Sequence, residues 1–260
     1  REVDLILQVV RFFDDKNVSH PHEKLDLLKD IEIINLELIL ADLDTIKNAL
    51  EKLEPKVRSG EKEFKAKLEV LKKLQKELED EKLANQVELD SEEKELVQKF
   101  CLLTIKLFLY VANLAEDQLP KDGKLEKEGV SFIPISAKIE SELSSLTEKE
   151  QKEYLKELGL KESGLTQVIK KSYETLDLVT FFTTNKNEAR AWTVKKGAKA
   201  PEAAGVVHTD FQKGFIKAEV IPYEDFVKAG SELKAKEQGL MRTEGKDYLV
   251  QDGDVILFKT

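Results

Sequence analysis

The chain has 260 residues, a hydrophobic fraction of 41% and a formal net charge of -9, which exclude a wholly disordered chain and a general polyanion-binding surface. Charged residues make up 36%, against about 25% in an average soluble protein, with Lys and Glu dominant. The single cysteine, Cys101, rules out a disulfide within the chain and reads as a small buried hydrophobe in a reducing compartment.

No stretch of about 20 apolar residues suggests a membrane span. A cytoplasmic location without membrane association is expected. The sequence starts at Arg1 rather than Met, in the approach to a strand, which reads as an incomplete chain.

Val3 to Phe13 is nearly continuous and apolar, as expected of a strand buried on both faces of a parallel sheet. A polar loop follows, with His20-Pro21-His22. Two histidines without a cysteine partner are a weak metal signal, so a plain loop is the expectation.

From Asp30 the apolar period becomes helical. Ile31, Ile34, Leu38 and Asp42 share a face, widened by Ile33, Leu36, Leu40 and Leu43 and continued by Ile46, Leu50 and Leu53. Pro55 predicts the end of this helix. Beyond Ser59-Gly60, Phe64, Leu68, Leu71, Leu74 and Leu78 predict a second helix, antiparallel to the first. The outer faces carry Lys62, Lys65, Lys67, Lys72, Lys73 and Lys76 among glutamates, a pattern of solvated helix. Asp90-Ser91-Glu92-Glu93 is a helix-start signal.

Lys106 to Ala112 and Val130 to Ile135 read as strands, Glu140 to Leu158 and Gly164 to Leu176 as helices. Strands joined by crossover helices imply a parallel α/β sheet, here interrupted by a helical hairpin. After Leu178 the character changes. Val179–Thr183, Glu188–Val194, Ile216–Ile221, Asp247–Val250 and Val255–Phe258 read as short strands, with a helix from Pro201 to Val207. Strands with one helix in about eighty residues predict a small β-grasp module.

Ligands in open α/β sheets bind beyond the carboxyl ends of strands. Asn113-Leu114-Ala115-Glu116 stands at one such end and Ser136-Ala137-Lys138 at the next. GTPases use Asn-Lys-x-Asp at the first position, the Asp accepting from guanine N1–H and the 2-amino group. Glu116 is one methylene longer, and Leu114 replaces the Lys. The longer carboxylate would not keep that bidentate geometry with guanine. Adenine has no N1–H or 2-amino group to satisfy a buried carboxylate, which would cost about 1–3 kcal/mol, and instead needs an acceptor for its 6-amino group. A side-chain amide or backbone carbonyl near Asn113-Leu114 can supply that acceptor, so the loop favours ATP over GTP. No Gly-x-x-x-x-Gly-Lys-Ser/Thr loop occurs in the sequence.

His208 and Asp210 suggest a catalytic pair, but no nucleophile accompanies them, and Asp at i+2 does not face His on a helix. Lys213, Phe211 and Phe215 are candidates for a binding face or, for the two aromatics, for core.

Several blocks together resemble the Obg-like ATPases of the YchF type, in the translation-factor class of P-loop NTPases. These are Val9-Val10-Arg11-Phe12-Phe13, Asp30 to Asn35, Asn113 to Glu116, Ala189-Arg190-Ala191-Trp192-Thr193, Ala200 to Gly205 and His208 to Ile216. The resemblance implies an incomplete P-loop NTPase domain in two segments, 1–33 and 99–176, interrupted by a helical hairpin at 34–98. It implies a TGS domain of β-grasp type at 177–260. It further implies ATP as substrate, Mg²⁺ dependence and association with ribosomes, the large subunit in particular, and with RNA but not DNA. Base-binding residues would be Asn113, Leu114, Glu116, Ser136, Ala137 and Lys138; His208, Asp210 and Lys213 are partner-binding candidates. The family's phosphate loop, switches and Mg²⁺ ligands would lie upstream of Arg1, so this chain alone is expected to be inactive and without catalytic or metal residues. The alternatives are a non-catalytic ribosome- or RNA-binding module and a GTPase with relaxed base specificity.

Overall fold

The computed structural model describes residues 2–13, 26–185 and 188–260; His20-Pro21-His22 lies outside them. The chain is mixed α/β and forms two compact units, 1–172 and 173–260.

Among the described residues the first unit holds four strands: β1 (Leu5–Arg11), β2 (Leu107–Asn113), β3 (Leu125–Lys127) and β4 (Val130–Ile135), in the order β1-β2-β4-β3. β1, β2 and β4 run parallel, with Arg11 beside Asn113 and Asn113 beside Ile135. The short β3 closes the far edge antiparallel to β4. Because the parallel strands are in register, their carboxyl ends finish side by side.

Between β1 and β2 lies α1 (Leu27–Arg58), capped by Asp26, whose side chain accepts from Lys29 N–H. Its first turns serve the sheet: Leu27 and Ile31 pack with Val10, Ala112, Leu114 and Phe132. Its later turns bury Ile39, Ile46, Leu50 and Leu53 against Val70, Leu71, Leu74 and Leu78 of α2 (Lys65–Glu79). One helix of about 48 Å thus joins the sheet layer to a helical hairpin. α3 (Ser91–Gln98) closes this cluster through Val97 and starts at a reciprocal Asp90–Glu93 capping box.

Four expectations change here. β1 is not buried on both faces: Leu7 is 44% and Val9 58% exposed, while α1 covers the opposite, Gln8/Val10 face. Ile33, Leu36 and Leu40 do not widen the buried stripe but are exposed, and Ile34, expected on the stripe itself, is exposed as well. Pro55 does not end α1, which runs three residues further, since the proline φ is itself helical and only one hydrogen bond is forgone in the last turn. Cys101 is only partly buried and sits at φ +48° just beyond α3.

After β4 come α4 (Ala137–Leu143), α5 (Glu148–Glu157) and α6 (Gly164–Thr175). The expected single helix from Glu140 is split by Thr147, whose side chain and N–H are both met by Glu150, starting a new helix.

The second unit contains β5 (Leu178–Thr184), β6 (Ala189–Lys195), α7 (Ala200–Val207), α8 (Thr209–Lys213), β7 (Lys217–Pro222), α9 (Tyr223–Ala229), α10 (Glu232–Glu237), β8 (Arg242–Glu244) and β9 (Asp254–Lys259). The strand order is β6-β5-β9-β7-β8, with β5 and β9 parallel and the other pairs antiparallel. Ala200, Ala203 and Ala204 let α7 sit close over Phe181, Val220 and Ile256. Asp247–Val250 is not a sheet strand. Its backbone instead pairs with Ala198 and Ala200 at the start of α7, while the sheet edge opposite β6 is supplied by β8.

Candidate functional site

The carboxyl ends of β1, β2 and β4 enclose a cavity of about 420 Å³. Its lining is Phe13, Asn113, Leu114, Ala115, Glu116, Asp117, Ser136, Ala137 and Lys138. All six residues singled out for base binding are therefore together.

The loops are held by backbone bonds that continue the sheet. Phe12 N–H donates to the Asn113 carbonyl at 2.8 Å, and Leu114 N–H to the Ile135 carbonyl at 2.8 Å. The Asn113 side chain then bridges the loops directly, its Oδ1 accepting from Ala137 N–H at 3.0 Å. Gln118 returns to accept from Ala115 N–H at 3.1 Å, bracing the turn that carries Glu116.

Leu114 and Ser136 are buried. The Leu114 side chain belongs to the core cluster with Val10 and Phe132, so what it offers a ligand is backbone. Across the loops, Lys138 Nζ stands 2.7 Å from Glu116 Oε1. That hydrogen bond, then the carboxylate charge itself, holds the Lys138 ammonium above its ordinary pKa, with a smaller push from Glu142.

Phe13 and Asp117 were not singled out from the sequence. Phe13 is fixed by Arg11, whose Nε donates to its carbonyl at 2.8 Å and whose guanidinium lies 4.7 Å from its ring centroid. The available signal was positional: Phe13 follows the end of a parallel strand paired with the one that delivers Asn113.

The remaining candidates lie in the second unit. His208, Asp210 and Phe211 line a separate cavity of about 540 Å³ with Arg190, Trp192 and Lys259. His208 is not on a helix face; it is the extended residue between α7 and α8. Its Nδ1 accepts from Asp210 N–H at 3.2 Å and lies 3.5 Å from Asp210 Oδ2, so the two residues do meet, contrary to the helical expectation. Phe215 is core, whereas Phe211 is exposed. Lys213 is exposed at the end of α8 and is not among the residues lining that cavity.

A family model named YchF-GTPase_C, described as a protein of unknown function (DUF933), matches residues 178–260. The ribosome-binding ATPase YchF of Bacillus subtilis is 46% identical over 269 residues, covering 100% of this chain and 74% of its own length. The chain belongs to the YchF family. The ribosome-binding ATPase YchF of Haemophilus influenzae is also 46% identical, covering 100% of this chain and 73% of its own. The solved structure of the Schizosaccharomyces pombe YchF GTPase superposes with a TM-score of 0.78 at 31% identity, over 99% of this chain and 72% of that one. The YchF family stands in the P-loop NTPase class.

Proposed function

We propose that this chain supplies the base-reading half of a ribosome-binding ATPase, with adenine seated between Asn113–Glu116 and Ser136–Lys138. The observation that carries this reading is the Asn113 Oδ1 bond to Ala137 N–H, which fastens the two loops around one cavity. Preorganised loops bind a planar ring without the entropic cost of ordering them first. Adenine's 6-amino group would take a backbone carbonyl of the Asn113–Leu114 turn as its acceptor, while the longer Glu116 carboxylate does not reproduce the paired acceptance that guanine requires.

Base recognition selects the nucleotide; hydrolysis depends on stabilising charge on the phosphates. The 260 residues contain no Gly-x-x-x-x-Gly-Lys-Ser/Thr loop, so the phosphate chemistry of ATP hydrolysis is assigned to no residue here. Mg²⁺ would neutralise phosphate charge. Among the described residues no group of three or more His, Cys, Asp or Glu fits such an ion.

The domain reading is 1–33 and 99–176 for the nucleotide-binding part, 34–98 for the hairpin and 177–260 for a TGS-type β-grasp. The order second-first-fifth-third-fourth of the strands in the second unit supports the last. The partner is the ribosome, through its large subunit and RNA, in the cytoplasm; His208, Asp210 and Lys213 are the residues offered to it. Competition between ATP and GTP for the intact protein tests the base reading, and tenfold tighter GTP binding would sink it.

A further inference from the structure

The ion pair between Lys138 and Glu116 connects the same two loops that Asn113 and Ala137 join through their own hydrogen bond. Glu116 opens the single helical turn after β2, and Lys138 is the second residue of α4. Both line the cavity, and both remain partly open to solvent.

A free carboxylate here would attract the N1–H or the 2-amino group of guanine through a single oxygen, even without the paired acceptance that an Asp gives. The same charge would repel the N1 lone pair of adenine. With Lys138 Nζ 2.7 Å from Oε1, the charge is compensated and one oxygen is engaged. Base choice then depends on a residue that need not touch the base.

We infer that Lys138 is a positioning residue for base selection: its ion pair with Glu116 holds the carboxylate out of guanine readout and keeps the site open to adenine. The inference rests on the base-site reading above. The pair is solvent-accessible, which sets the scale at about three- to fivefold in the ratio of ATP to GTP affinity.

The test is competition binding of ATP and GTP to the intact protein and its variants. Lys138→Met should lower the ATP:GTP affinity ratio by about three- to fivefold. Lys138→Arg keeps a cation at Glu116 and should keep the parent ratio. Lys138→Met combined with Glu116→Gln should return the ratio toward the parent, because no uncompensated carboxylate remains. An unchanged ratio in Lys138→Met, with Asn113→Ala weakening both nucleotides, overturns the inference and leaves the base site standing. Unchanged affinities in Asn113→Ala as well would overturn the base site and the inference with it.

Discussion

Asp42, near the middle of α1, grips Thr104: one carboxylate oxygen accepts the Thr104 N–H at 2.7 Å and its hydroxyl at 2.8 Å, while the other accepts Leu103 N–H at 2.9 Å. The Asp42 side chain is fully buried. The contact fastens the helical hairpin to the segment that leads into β2, and so to the strand that delivers Asn113. Asp42→Ala leaves three donors without an acceptor and should lower unfolding stability by about 3 kcal/mol, read from urea denaturation. Asp42→Asn retains one acceptor oxygen and should lose less. Equal stability of Asp42→Ala and the parent would remove the case for this pin.

Asn113→Ala should weaken ATP and GTP alike, by about five- to tenfold, because it releases Ala137 N–H and loosens both loops before either base is discriminated. Isothermal calorimetry on the intact protein measures this. A change confined to one nucleotide would show that Asn113 reads the base rather than tying the loops.

The amphipathic hairpin, β2, β4 and the loop pair were legible because each depends on local periodicity or on a strand end. Leu71, Leu74 and Leu78 announce their face whatever surrounds them. Ile33, Leu36 and Leu40 obey the same period yet stay exposed among the described residues, since periodicity reports which side chains align and not what covers them. The ends of β1 and β2 had to be placed side by side before Phe13 could be put in the cavity. Asp247–Val250 misled because its alternation is real, but its partners are the backbone groups at Ala198 and Ala200. The meeting of His208 with Asp210 was hidden by treating as helix a residue that bends the chain between two helices.

Glu219, little exposed on β7, lies 3.0 Å from Lys217 Nζ and 3.4 Å from Lys259 Nζ. The Lys217 hydrogen bond leads in holding its carboxyl below the ordinary value of 4.5, despite opposition from burial; Lys259 adds to the effect. A pKa lowered by folding contributes stability above the ordinary value and loses it as pH falls through the folded one. Glu219→Gln should therefore reduce stability at neutral pH and flatten the acid limb below pH 4.5, measured by thermal unfolding at a series of pH values. An acid limb identical to the parent's would assign the loss to other carboxylates.

Glu116→Asp should move selectivity toward guanine, because removing one methylene restores the geometry that paired N1–H and 2-amino acceptance needs. Adding Leu114→Lys is a poorer test. The Leu114 side chain is packed among Val10, Leu27 and Ile31, and a buried ammonium would destabilise the strand ends themselves. Nucleotide competition on Glu116→Asp alone therefore gives the cleaner reading; unchanged ATP:GTP selectivity would mean that this carboxylate does not set it.

Gly164, the first residue of α6, sits where a side chain would strike the strand that ends at the site. A Cβ there would lie 2.6 Å from Ile135 Cγ2 and 3.1 Å from Ile135 Cα, and Gly164 N–H is held by Glu140 Oε1 at 2.7 Å. Ile135 directly precedes Ser136, and its carbonyl accepts Leu114 N–H. Gly164→Ala must therefore either push α6 away or displace the strand end that joins the two loops. Overpacking of this kind costs about 1–3 kcal/mol. If α6 yields, stability falls while ATP affinity holds. If Ile135 yields, both fall together, because the Leu114 and Ala137 contacts move with it. Denaturation and ATP binding measured on the same variant separate these cases. The backbone Cα at 3.1 Å has less freedom than the side-chain methyl, which favours the second outcome: lower stability and weaker ATP binding in one substitution remote from the base.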